Sequence, residues 1–287
     1  MTVTTGAGWT LYADDCVERL AALPAQSVDL SVFSPPFIAL YTYSASPRDL
    51  GNCSTREEFY EHFRFVVDAL RRVLKPGRIV CCHVAQVALQ KARDGVIALE
   101  DFRGGVIRLF QAGAFHYHGE VCIDKDPQAQ AIRTRAKSLA FAQMRRDQSW
   151  LRPALADYIL LFRAPGENAV PIAAQLTNDQ WIEWARPIWY GIRESDTLSV
   201  HEARGDDDER HIAPLQLGTI ERCIRLWSNP GDLVLSPFAG IGSEGYVALQ
   251  CGRRFIGIEL KPEYAATAVK NLRRAEAHIH GQRELAL

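Results

Sequence analysis

Three stretches of this 287-residue sequence combine residue types in spacings that could do chemistry. The first is Gly-Ile-Gly-Ser-Glu-Gly at 240–245, a G-x-G-x-x-G pattern that follows an apolar run and opens a helical one. Glycines there let the backbone come close to a ligand. An acid at the end of the next apolar run, Glu259, stands where a carboxylate accepts hydrogen bonds from two ribose hydroxyls. Gly240, Gly242 and Glu259 therefore specify a nucleoside cofactor site. The second is Ser34-Pro35-Pro36-Phe37, which closes the apolar run at 28–33. Proline has no N–H for a sheet ladder, so the pair ends a strand and leaves a hydroxyl and an aromatic ring at its tip. The third is basic: residues 127–152 hold Arg133, Arg135, Lys137, Arg145, Arg146 and Arg152 against one acid, Asp147.

The glycine loop alone would suggest a nicotinamide dehydrogenase. Such a fold needs several strands after the ribose-binding acid, and only 28 residues follow Glu259. The missing strands must then come earlier in the chain, in permuted order. Short apolar runs alternating with helical patterns do predict a mostly parallel sheet with helices on both faces. Strands are expected at 9–15, 28–33, 78–87, 115–123 and 157–162, and on either side of the glycine loop within 232–260. Helices are expected through Leu20, over 56–74, near 102–112, over 220–228 and over 262–276. Two inserts break the rhythm. The basic stretch has helical spacing at Ile132, Ala136, Leu139 and Ala140, and 164–212 reads as a small irregular lobe or long loops. Of its Trp181, Trp184 and Trp189, at least two are expected in a core.

Composition is that of an ordinary globular protein, 47% apolar and 23% charged. The absence of an 18-residue apolar run and of a basic-then-apolar leader predicts a soluble cytoplasmic protein with no membrane partner. Seven cysteines without a C-x-x-C pair read as reduced core thiols, so no disulfide framework and no metal is expected. At a net charge of −1, any nucleic acid must meet a local basic face.

The chain resembles the β-class DNA amino-methyltransferases, which methylate adenine N6 or cytosine N4. The residues that carry the resemblance are "SPPF" (34–37), "LKPGRIV" (74–80), "SNPGDLVLSPFAGIGSEG" (228–245) and "RRFIGIELKPEYAATAVKNL" (253–272), with "LYADDCVERL" (11–20) and "HIAPL" (211–215). Within that family "LYTYS…RDLGN" is most similar to phage- and prophage-borne members. The resemblance implies a Rossmann-like methyltransferase fold, a mixed seven-stranded, mostly parallel sheet in permuted order. Residues 1–163 would form its catalytic part, 164–210 a target-recognition insert and 211–287 its cofactor-binding part.

It also implies roles. S-adenosyl-L-methionine would be the cofactor and double-stranded DNA the substrate, with adenine N6 preferred over cytosine N4. An exocyclic amine is a poor nucleophile because its lone pair is delocalised into the ring. The Ser34 hydroxyl and Pro35 carbonyl can accept both its hydrogens and free that lone pair, Pro36 fixes the turn, and Phe37 stacks on a flipped base. Phe238 would pack beside the cofactor and Asp15, or the adjacent Asp14, would hold its adenine amino edge. His211 and Pro214 belong to the segment that closes over its methionine end. Ser236 stands where relatives carry an aspartate that pairs with the cofactor's ammonium, and Glu244 could compensate. Arg133, Arg135, Lys137, Arg145 and Arg146 are the expected phosphate contacts, and a homodimer is expected because relatives often dimerise. Two other readings compete: a DNA-binding relative without turnover, for which Ser236 speaks, and the nicotinamide oxidoreductase.

Overall fold

A strand buried at every position, β3 (Val28–Phe33), marks the centre of the molecule. Its run of apolar residues with no polar alternation is what a parallel strand covered on both faces requires. The computed structural model describes residues 2–37, 49–53, 55–89, 95–96, 98–134, 136–139, 141–199 and 214–284. Besides β3 its strands are β1 (Thr2–Gly6), β2 (Trp9–Ala13), β4 (Leu74–Ala85), β5 (Val87–Leu89) and β6 (Ala98–Glu100). They continue with β7 (His116–Ile123), β8 (Asp157–Arg163), β9 (Ile188–Trp189), β10 (Leu233–Ser236) and β11 (Arg254–Glu259). Nine form one sheet in the order β1-β2-β11-β10-β3-β4-β8-β7-β9, while β5 and β6 make a separate hairpin.

From β2 through β4 all neighbours are parallel, whereas β8 pairs antiparallel with both β4 and β7. This is a Rossmann-like, mostly parallel sheet, with nine strands where seven were expected. The additions are at its two edges. The short β1 is exposed or half-exposed throughout, and β9 is only two residues long with Trp189 alone buried, so neither shows the run of buried or alternating residues that makes a strand legible.

The helices are α1 (Cys16–Ala22), α2 (Arg56–Val73), α3 (Phe102–Ala112), α4 (Pro127–Thr134), α5 (Phe141–Arg146), α6 (Asn178–Trp184), α7 (Leu217–Trp227), α8 (Ser243–Gln250) and α9 (Pro262–Glu284). The expected helices lie where predicted, but α7 starts three residues early and α9 runs beyond 276. Each face of the sheet has its own core. Helices α1, α2 and α3 cover one, with Phe59, Phe63, Val67 and Leu70 of α2 recurring at helical spacing against Val80 and Cys82. Helices α7, α8 and α9 cover the other, against Ile79 and Cys81. The two adjacent cysteines thus enter opposite cores, as the two-residue period of a strand dictates.

Two sequence expectations change. The basic stretch forms no single amphipathic helix: α4, α5 and short 3₁₀ turns at Lys137–Leu139 and Gln148–Trp150 replace it, and Ile132 is exposed. Leu139 is half-buried but Ile132 and Phe141 are exposed, so the apolar positions share no single buried face that would hold one continuous helix. Of the three tryptophans only Trp189 is fully buried. Trp184 is half-buried near the Arg222 guanidinium (5.4 Å), and Trp181, on the outer side of the short α6, is exposed.

Candidate active site

Strand β10 lies between β3 and β11, so the carboxyl ends of all three open on the same side of the sheet. Ligands of open α/β sheets bind in the crevice outside such ends. A cleft enclosing about 1150 Å³ of empty space, its mouth included, occupies that place. Ser34, Pro35, Pro36 and Phe37 line it from β3, Pro237 to Ile241 from β10, and Glu259 from β11. Segments about two hundred residues apart in the chain therefore meet at a single cavity.

The glycine loop is built by backbone geometry. Gly240 (φ 50°) and Gly242 (φ 85°) both occupy the left-handed region, and a Cβ on Gly242 would lie 3.1 Å from that of Ala268. Gly240 and its neighbours face the cleft, whereas Gly242 turns the chain into α8 without lining it. Glu259 is pinned from two sides: Oε2 accepts from the Gly240 N–H at 2.8 Å and Oε1 from the Lys261 N–H at 2.9 Å. Burial pushes its carboxyl up to about 7, against those two hydrogen bonds. Glu244, in the first turn of α8, also lines the cleft and is pushed up to about 8 by burial. Ser243 Oγ, beside it, is buried with no hydrogen-bond partner.

Two adjacent acids separate at the end of β2. Asp15 lines the cleft and caps α1 by accepting from the Glu18 N–H at 3.0 Å. Asp14 turns away to Arg19, whose Nη2 lies 2.5 Å from its Oδ2 and whose hydrogen bond holds its carboxyl below the usual range. Phe238 lines the cleft and leans on Phe33 and Phe63. Ser236 is behind the wall: fully buried at the end of β10, Oγ unpartnered, outside the cleft lining. Pro214 lines the cleft, and His211 lies outside the described residues. Asp49 and Leu50, within the "RDLGN" stretch of the resemblance, also line it, although no role was assigned to them from the sequence.

Beneath Ser34 is a chain of polar groups that no motif announced. Ser34 Oγ is 3.0 Å from His83 Nδ1, near the end of β4. His83 Nε2 in turn is 3.2 Å from Asp157 Oδ2, off hydrogen-bond alignment, and Lys125 Nζ is 2.6 Å from the same oxygen. Burial raises the Asp157 carboxyl, but His83 and Lys125 outweigh it and bring it down to about 2. The aspartate is therefore ionised and fixed behind the imidazole. Phe37 meets Phe102 edge-on at 5.6 Å, with its ring 6.3 Å from that of His83.

Among the expected phosphate contacts, Arg145 and Arg146 are exposed at the end of α5. Arg135 and the side chains of Arg133 and Lys137 lie outside the described residues.

A family model described as DNA methylase (N6_N4_Mtase) matches residues 28–270. Type II methyltransferase M.Cfr9I of Citrobacter freundii is 41% identical over 301 aligned residues, 95% of this chain and 90% of that protein. Type II methyltransferase M.XycI of Xanthomonas campestris pv. cyanopsidis is 40% identical over 296 residues, 95% of this chain and 90% of that protein, while other relatives are matched only in part. DNA adenine methyltransferase YhdJ of Escherichia coli K12 is 43% identical over 67 residues, and the chain spans 23% of its length. Among solved structures, TTHA0409 of Thermus thermophilus, assigned as a DNA modification methylase and complexed with S-adenosyl-L-methionine, superposes with a TM-score of 0.70 at 25% identity. That match covers 92% of this chain and 93% of the other.

Proposed function

The chain belongs to the N6/N4 DNA methylase family, and from that premise we propose that it transfers a methyl group from S-adenosyl-L-methionine to adenine N6 in double-stranded DNA. The observation that carries the reading is the shared cleft, where hydrogen-bond acceptors on Ser34 and Pro35 face a glycine loop and a ribose-binding acid. Ser-Pro-Pro-Phe preceding the glycine loop is the motif order of the permuted β class, to which we assign the chain. YhdJ, an adenine enzyme by name, matches over 67 residues and agrees with adenine as the target.

The cleft fits the cofactor on its own chemistry: a left-handed glycine where a nucleoside needs close approach, a pinned carboxylate for ribose hydroxyls, and a buried, unpartnered Ser243 hydroxyl. Asp15 would receive the adenine amino group, and Glu244, giving up its proton as the cationic cofactor binds, would supply the negative charge that Ser236, behind the wall, does not. The bound cofactor supplies an electrophilic methyl group. Phe37 stacks on the flipped target base and holds its ring plane. With its hydroxyl hydrogen directed to His83 Nδ1, Ser34 presents lone pairs to one amine hydrogen, while the Pro35 carbonyl accepts the other. As the amine nitrogen becomes cationic, His83 takes the surplus proton through Ser34, and Asp157 stabilises the imidazolium. Positioning supplies most of the rate, since the acceptors are set before the base arrives.

The test is nucleoside mass spectrometry of unmethylated genomic DNA incubated with the protein and S-adenosylmethionine. N6-methyladenine is the expected product. N4-methylcytosine would keep the chemistry and correct the base. Neither product, with the protein folded and bound to DNA, would overturn the reading in favour of a DNA-binding relative without turnover.

DNA would approach along the exposed end of α5, with target selection in 164–210. Replacing Arg145 and Arg146 together by alanine should weaken binding to all DNA sequences and lower the slope of log affinity against log salt by about 1–2. Affinities measured between roughly 50 and 200 mM salt, a range over which phosphate contacts are strongly salt-dependent, decide it. An unchanged slope would remove α5 from the phosphate face.

A further inference from the structure

We propose that Cys53, Glu58 and His62 form a site for one divalent transition-metal ion of the zinc class, beside the cofactor cleft and sharing no lining residue with it. Cys53 directly follows the 3₁₀ turn Leu50–Asn52 and is buried. Glu58 and His62 are one turn apart on the same side of α2, both half-buried. One ligand atom from each lies within 4.8 Å of the other two.

The spacing is that of a coordination shell. Cys53 Sγ is 3.6 Å from His62 Nδ1. Zinc–sulfur and zinc–nitrogen bonds of about 2.3 and 2.0–2.1 Å, set at a tetrahedral angle, hold sulfur and nitrogen about 3.6 Å apart. Thiolate, imidazole and carboxylate together suit zinc or cobalt, whereas magnesium and calcium take oxygen ligands. Charge balances as well: one thiolate and one carboxylate neutralise the dication, and the imidazole binds neutral. The half-exposure of Glu58 and His62 leaves a path for the ion and room for a water in the fourth position. Without metal the Cys53 thiol is raised, by burial first and then by Glu58 and Asp49, so it carries its proton. Binding breaks the S–H bond, forms the metal–sulfur bond and releases that proton to solvent.

Such an ion would pin the segment that lines the cleft. Asp49 and Leu50 belong to the cleft wall, and the Cys53 N–H donates to the Leu50 carbonyl. Tying Cys53 to α2 therefore fixes that wall against the helix.

Titration of the full chain, stripped with a chelator, with Co²⁺ tests the site. The wild type should bind one equivalent with a sulfur-to-cobalt charge-transfer band that Zn²⁺ abolishes, and Zn²⁺ should raise its unfolding temperature. Cys53→Ser should lose the band, and His62→Gln should weaken binding about tenfold or more. Should Cys53→Ser fail to fold, His62→Gln and Glu58→Gln carry the comparison. No band in the wild type would reduce the cluster to a thiol–imidazole hydrogen bond and overturn the proposal. A band undiminished in the variants would place the metal on other cysteines and overturn it equally.

Discussion

Ser34→Ala should slow methyl transfer by about 10²–10³-fold while leaving cofactor affinity within about twofold of wild type. The hydroxyl enters the cleft from β3, whereas the ribose-binding Glu259 and the glycine loop enter from β11 and β10, so its loss should remove no contact to the nucleoside. What disappears is an acceptor for one amine hydrogen and the link from the base to His83, 3.0 Å behind. Ser34→Thr, which keeps the hydroxyl, should recover part of the rate. His83→Gln should produce a smaller loss, about tenfold, because Ser34 would keep its acceptor role but lose the imidazole that takes the proton. Single-turnover transfer from labelled cofactor, beside equilibrium cofactor binding, separates these effects. If Ser34→Ala lost binding and rate together, the hydroxyl would belong to the cofactor side and the base would need another acceptor.

Glu259→Gln should weaken cofactor affinity by about 10- to 100-fold, with a rate at saturating cofactor much closer to wild type. Glutamine keeps the shape and one acceptor for the Gly240 or Lys261 N–H but removes the charge that strengthens hydrogen bonds from ribose hydroxyls. The carboxyls of Glu259 and Glu244 also give this affinity a pH dependence. Burial raises them from 4.5 to about 7 and about 8, so the folded protein holds these protons more tightly than the unfolded chain. The stability each contributes is complete below 4.5 and is lost as pH climbs through its folded value. Ribose donors and a cationic ligand favour the ionised forms. Cofactor binding near neutrality should thus release protons, and affinity should rise from about pH 6 to about 8.5 before levelling. In Glu259→Gln the lower part of that rise should be missing. Calorimetry in buffers of different ionisation enthalpy counts the protons. A flat affinity across the range would mean that both carboxyls are already ionised in the free protein.

Local chain chemistry made part of this protein legible without coordinates. Glycines 240 and 242, the prolines after Ser34 and the distal Glu259 act within a few residues of where they stand, and each constrains its own backbone or strand end. Strands β2, β3 and β4, all early in the chain, flank β10 and β11 in the sheet, which is the permuted order the motifs implied. Helix α2 could be read because its buried residues recur on one face, and its Glu58–His62 pair lies on the same helix.

Other features existed only once the sheet was assembled. Insertion of β10 between β3 and β11 is a matter of long-range ladder pairing, and it alone brings Ser34 to the glycine loop. His83, Asp157 and Lys125 come from β4, the start of β8 and the segment after β7, so no spacing in sequence relates them. Asp14 and Asp15 are chemically identical neighbours. Arg19, one helical turn away, claims the first and leaves the second to the cleft. Trp181 is exposed on α6 while Trp189, on β9, enters the core under the Arg222 guanidinium, and neither the exposed β1 nor the two-residue β9 is long or buried enough to show a strand pattern. Cys53 joins Glu58 and His62 through the turn that precedes α2, where no C-x-x-C spacing marks a ligand. Sequence determined the groups whose chemistry depends on their own backbone. The groups that depend on a partner across the sheet were decided by hydrogen-bond ladders and packing between residues far apart in the chain.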